Sequence, residues 1–164
     1  MNIFDPNVFP AVTALLGSVF GVLAGIVSNL YMENRKHKRN IDVYSAGFIA
    51  EVESLASIIR YRGYIAELES AMNYLYADER MPISILIPDN YSRFYDANLA
   101  HVGLLKPITA KNLVTFHQLL QSVVQDFKPE ATFNSIGYDL SSLKQLIELL
   151  NKALCLADEI KENK

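Results

Sequence analysis

Between Pro6 and Met32 the chain carries no Asp, Glu, Lys or Arg, and from Val8 to Tyr31 almost every residue is apolar or small. As a helix rising about 1.5 Å per residue, the stretch from Val8 to Tyr31 reaches about 36 Å, whereas a hydrocarbon core is about 30 Å thick. The segment is therefore expected to cross a bilayer with some tilt. A cleaved secretory signal is the competing reading. Against it, Asp5 and no Lys or Arg precede the apolar run, and the run is longer than a usual signal core. The whole chain has 164 residues, enough for one folded domain in addition to an anchor but not comfortably for two cores.

The flanks of the span set its expected direction. Arg35, Lys36, His37, Lys38 and Arg39 follow it, while the N-terminal side offers only the terminal amine against Asp5. Positive charge close to a span resists export, so the C-terminal domain is expected in the cytoplasm. The same cluster, Arg35, Lys36, Lys38 and Arg39, reads mainly as a topology signal at the membrane edge, and gripping anionic lipid headgroups is its alternative role. A lone cysteine, Cys155, agrees with a reducing compartment. The expected organisation is residues 1–33 as transmembrane anchor, 34–40 as basic juxtamembrane segment and 41–164 as cytoplasmic helical domain.

Removing the four basic residues of the cluster leaves 11 Lys and Arg in residues 40–164, against 16 acids once Asp5 and Glu33 are set aside, a balance of 11 − 16 = −5. Such an acidic domain is a poor nucleic-acid binder.

Periodicity gives the elements. Asn7 is placed to cap the first helix, with Pro10 still in its first turn. Beyond Pro10 no proline occurs before Pro82, so the span is expected to run with little interruption into a long helix reaching Ala77. There Phe48, Val52, Leu55, Ile58, Ile65, Leu68, Met72 and Leu75 form one apolar stripe, with Arg62 in its gap. Residues 81–88 read as a connection bracketed by Pro82 and Pro88, or as a short edge strand. A helix over 90–102 is expected next, capped by Asp89 and stopped by Gly103 as a left-handed C′ residue. Another starts near Thr109 after Pro107, with Leu113, Phe116, Leu120, Val123 and Phe127 as its core stripe. Residues 128–140 read as a loop, whose Phe133, Asn134 and Tyr138 form a candidate docking surface or fold back over the end of the domain. The last helix begins near Ser141, capped by Asp139 or Ser141, with Leu143, Ile147, Leu150, Leu154, Ala157 and Ile160 inward. The expected fold class is all-α: an N-terminal transmembrane helix continuing into an antiparallel cytoplasmic helical bundle.

The most specific motif lies within the span. Gly17, Gly21 and Gly25 form GxxxGxxxG, with Ala14, Ser18, Ala24 and Ser28 adding small residues nearby. Glycines four apart make a shallow groove into which a second helix backbone can pack closely. Helix association, with a second copy or with another membrane protein, is the expected role, and the ordinary abundance of small residues in spans is the alternative. Asn29, a further step along this face, is placed to hydrogen-bond across the pair or to sit at headgroup level.

In the domain the distinctive segment is Tyr91 to Leu105, with aromatics at 91, 94 and 95 followed by Asn98, His101 and Gly103. It reads as a short helix wedged into the core, with Asn98 and His101 forming buried hydrogen bonds, in preference to a ligand site. Its FYDANLAHVGLL run resembles small bacterial and prophage membrane proteins in which one span precedes a helical cytoplasmic domain. The overall plan is similar to that of superinfection exclusion proteins of temperate phages. That resemblance implies a bacterial inner-membrane protein that blocks entry of phage genomes, and it transfers no site residues.

No catalytic motif is present: there is no GxxxxGK[ST], GxSxG, HExxH or paired CxxC. His37, His101 and His117 lack the spacing of a metal site on one helix, and no cofactor is expected. Cys155, among Leu154, Leu156 and Ala157, is expected to be buried and inert. The acids at 51 and 53, and at 67 and 69, diverge around a helix. The expected function is a non-catalytic, membrane-anchored interaction protein, with an accessory or regulatory subunit of a larger membrane complex as the alternative.

Overall fold

The computed structural model describes residues 9–76, 79–83, 85, 87, 88, 90–128, 131 and 136–162, with side chains described from Thr13 onward. Among the described residues the chain is helical, with no strand. Two compact units divide it, one ending at Asp42 and the other beginning at Val43. The expected caps Asn7 and Asp89, and the loop residues Phe133 and Asn134, lie outside the described residues.

Helix α1, Phe9–Arg62, is 54 residues long. It is long and apolar enough to cross a membrane. In the first unit every described side chain from Thr13 to Asn40 is exposed, which puts Leu15, Phe20, Val22, Val27 and Leu30 on the surface. The Ser18 hydroxyl donates to the Leu15 carbonyl at 2.8 Å, so this polar group is satisfied within its own helix.

The expected uninterrupted helix to Ala77 is broken at Gly63. This residue has φ 66°, a left-handed conformation that costs an L-residue about 1–2 kcal/mol. Its N–H donates to Arg60 and its carbonyl accepts from Glu67, so α1 ends and α2, Tyr64–Asn73, begins across one residue. The apolar stripe changes with the break. Phe48, Val52 and Leu68 are buried as expected and Leu55, Ile65, Met72 and Leu75 are partly buried. Ile58, however, is 46% exposed, and Ile49, Ala56 and Ile59 turn inward.

The helix expected over 90–102 is two shorter pieces. Helix α3, Arg93–Ala97, is followed by a 3-10 helix, Leu99–Leu104. Asn98 separates them and bonds its own Nδ2 to the Phe94 carbonyl at 2.8 Å. Gly103 lies inside the 3-10 helix without a positive φ, so it is not the expected stop. Among the described residues, the edge strand expected as the alternative for 81–88 reduces to one antiparallel bridge between Met81 and Tyr138, closed by N–H···O bonds of 3.0 and 2.9 Å. Gly137 is required there: it has φ 83°, and a Cβ would lie 3.1 Å from the Cβ of Arg80.

Helix α4, Pro107–Asp126, opens with Pro107 in its first turn, where the missing N–H removes no helical bond. Helix α5, Leu140–Glu162, is capped by Asp139, whose Oδ1 accepts from the Ser142 N–H at 2.8 Å. This bond pulls the Asp139 carboxyl below its ordinary range. Leu113, Phe116, Leu120, Val123 and Phe127 of the α4 stripe are all buried. They face Leu143, Leu146, Leu150, Ala153, Ala157 and Ile160 of α5 in the principal helix pair, and α2 packs on α5. At one end of that pair Asn112 Nδ2 donates to Glu159 at 2.9 Å, and at the other the Tyr138 hydroxyl donates to the Asp126 carbonyl at 2.7 Å. Of the two readings for Tyr138, a docking surface or folding back over the end of the domain, the second holds: it is fully buried. It closes the end of the pair, and burial pushes its hydroxyl up to about 12. Cys155, expected inside, is exposed.

Candidate functional site

The residues singled out in the sequence stay apart. Gly17, Gly21 and Gly25 lie at four-residue steps on α1, and a Cβ on any of them would meet nothing within 4 Å. Helical geometry turns each glycine only about 40° from the last, so the three share one side of the helix. Arg35, Lys36, Lys38 and Arg39 are exposed farther along α1.

The second unit carries a junction in which the expected 91–105 wedge meets Phe48 together with Tyr44, Gly47 and Glu51, to which sequence reasoning gave no such role. One face of α1, at Tyr44, Gly47, Phe48 and Glu51, receives the 91–105 segment. The Phe94 ring lies so close over Gly47 that a Cβ there would collide with it, and Phe94 meets Phe48 edge-on at 5.2 Å. One turn on, the Glu51 carboxylate accepts from the backbone N–H groups of Phe94 at 2.7 Å and Tyr95 at 2.8 Å. A single side chain thus satisfies two donors at the start of α3, which lacks a side-chain cap of its own. Tyr44 stacks on His101 at 3.8 Å, so His101 is held by ring contact and not by the buried hydrogen bond expected of it.

Behind this junction Tyr95 stacks on His117 at 3.8 Å. His117 is 3% exposed, and neither ring nitrogen has a hydrogen-bond partner among the described residues. Its Nε2 lies 3.9 Å from Glu51 Oε2. Burial drives the imidazole down to about 4, with the charge of Asp96 opposing, so it is neutral at pH 7. Burial followed by the charge of Asp96 raises the Tyr95 hydroxyl. His117 and Tyr95 are buried and Glu51 is 12% exposed, so the group ties α1, α3 and α4 together from within. The only legible trace of it in the sequence is the aromatic triplet at 91, 94 and 95.

A cavity of about 620 Å³ opens beside the junction. Its apolar wall comes from Leu55 and Ile59 of α1, Leu68 of α2, Val123 of α4 and Leu150 of α5, with Phe127 at one end. Ile85, Ile87 and Pro88 close another side. This run, which reads as a connector or a short edge strand in the sequence, thereby becomes part of a binding-sized hollow. Two charged residues reach it, Arg62 at the end of α1 and Arg93 at the start of α3, both exposed. Arg93 Nε donates to the Asn90 carbonyl at 3.3 Å. The Tyr91 hydroxyl donates to Gln121 at 3.0 Å, and burial raises it to about 12. That bond fixes Tyr91 as wall.

No group of three or more His, Cys, Asp or Glu side chains among the described residues is arranged to hold a metal ion. No family model, curated protein or solved structure matches the chain.

Proposed function

We propose that this chain is a single-pass, non-catalytic interaction protein of the bacterial inner membrane. The front of α1 crosses the bilayer, Arg35, Lys36, Lys38 and Arg39 remain on the cytoplasmic side, and the following helices form an antiparallel bundle offered to a partner. The observation that carries the reading is the continuous exposure of side chains from Thr13 to Asn40, with Leu15, Phe20, Val22, Val27 and Leu30 among them. The apolar part of that stretch, which ends at Met32, is costly in water and at ease in hydrocarbon. The antiparallel arrangement is supported by the Asn112–Glu159 and Tyr138–Asp126 bonds, which tie opposite ends of α4 and α5 together.

Gly17, Gly21 and Gly25 leave a strip of bare backbone on the span, and we assign to it the packing of a second copy of the helix. Purification in mild detergent tests this. A defined homo-oligomer that falls to a monomer in Gly21→Leu is the expected result. A monomer that copurifies with a different membrane protein would move the reading to an accessory subunit, and recovery of intact chain in the detergent-free soluble fraction would remove the anchor altogether. The process to which the plan is similar, exclusion of phage genomes, is tested by following entry of labelled phage DNA into expressing cells; normal entry of every phage tried counts against it.

A further inference from the structure

We infer that the cavity beside α3 binds one single-chain anionic amphiphile, a long-chain fatty acid, with its chain among Ile59, Leu68, Val123 and Leu150 and its carboxylate between Arg62 and Arg93. The size fits: about 620 Å³ lies within the range of roughly 300–1,000 Å³ typical of small-molecule sites. Chemistry narrows the class. Leu, Ile and Val make most of the wall, so a sugar or a nucleotide would leave its polar groups unpaired on entering, at a cost that an acyl chain does not incur.

The charge at the opening selects the headgroup. Residues 40–164 sum to −5, yet among the described residues the charged side chains lining this cavity are both arginines. A guanidinium fork matches a carboxylate in shape and carries its charge at any physiological pH. Arg62 comes immediately before the left-handed Gly63 and Arg93 opens α3, and both exposed side chains line the same cavity. The assignment concerns the second unit alone and goes beyond the anchoring role proposed above.

The test uses full-length protein in phosphatidylcholine nanodiscs with a photoreactive diazirine analogue of palmitate, and maps the labelled peptides by mass spectrometry. Labelling is expected in residues 55–68 and 120–127. It is expected to be competed about tenfold better by palmitate than by hexadecanol, since hydrogen bonds to a charged group are worth about that factor. Arg62→Gln with Arg93→Gln should lower that labelling at least about tenfold, and because both side chains are exposed the core is untouched. Labelling confined to residues 13–31, or labelling of the cavity peptides that ignores both the headgroup and the arginine changes, would overturn the proposal. Labelling of 13–31 itself reports contact with bulk lipid, so its loss bears on the anchor and not on the cavity.

Discussion

Gly47 and Glu51 hold the junction together in ways that their residue types do not advertise. Gly47 sits mid-helix, where glycine costs about 1 kcal/mol relative to alanine, and its reason is the Phe94 ring lying over it. In Gly47→Ala the new methyl must push that ring off Phe48, and the expected loss is about 1–3 kcal/mol. Thermal unfolding of the full chain in detergent measures it, and Gly47→Ala combined with Phe94→Leu should recover part of the loss. Glu51→Gln keeps the shape but has one acceptor oxygen for two N–H donors, and is expected to cost about 1–3 kcal/mol by the same measurement. His117 makes the stability of the domain depend on pH. The unfolded chain takes up its proton below about 6.5 and the folded chain only below about 4. Stability is therefore complete above the unfolded value and declines as pH falls between the two, by at most about 3 kcal/mol. Urea midpoints of wild type and His117→Phe should converge or cross over this window, and parallel curves would show that the histidine does not titrate as described.

At the scale of elements, the helices whose apolar positions repeat cleanly are legible in the sequence. The α4 stripe of Leu113, Phe116, Leu120, Val123 and Phe127 is buried as its spacing requires, because a long helix with one apolar face has one way to cover it. Breaks are harder to see. Gly63 interrupts a pattern whose apolar spacing continues on both sides, and hydrophobic period carries no information about a single left-handed residue. Gly63→Ala should cost about 1–2 kcal/mol, read as a lower melting temperature. The 90–102 stretch reads as one helix for a similar reason: its aromatics recur at helical spacing, whereas Asn98 turns its amide onto the Phe94 carbonyl and splits it into α3 and a 3-10 turn. In the same way, the bridge to Met81 decides between the two readings of Tyr138 and places it inside.

For the whole molecule, topology has a built-in reporter. Cys155 is the sole cysteine and it is exposed on α5. A membrane-impermeant maleimide is expected to label it in inverted inner-membrane vesicles and to leave it unmodified in intact spheroplasts. The opposite pattern would reverse the proposed orientation and with it the role of the basic cluster. The all-helical class, the apolar helix at the front and the acidic balance of residues 40–164 can be read from the linear chain, because they depend on composition and short-range period. The folded chain alone shows which glycine receives a ring, which glutamate caps a distant helix, and that a proline-bracketed connector walls a cavity with two arginines at its opening. Those features are contacts between residues far apart in the sequence, and local spacing cannot encode which distant partner fills a gap.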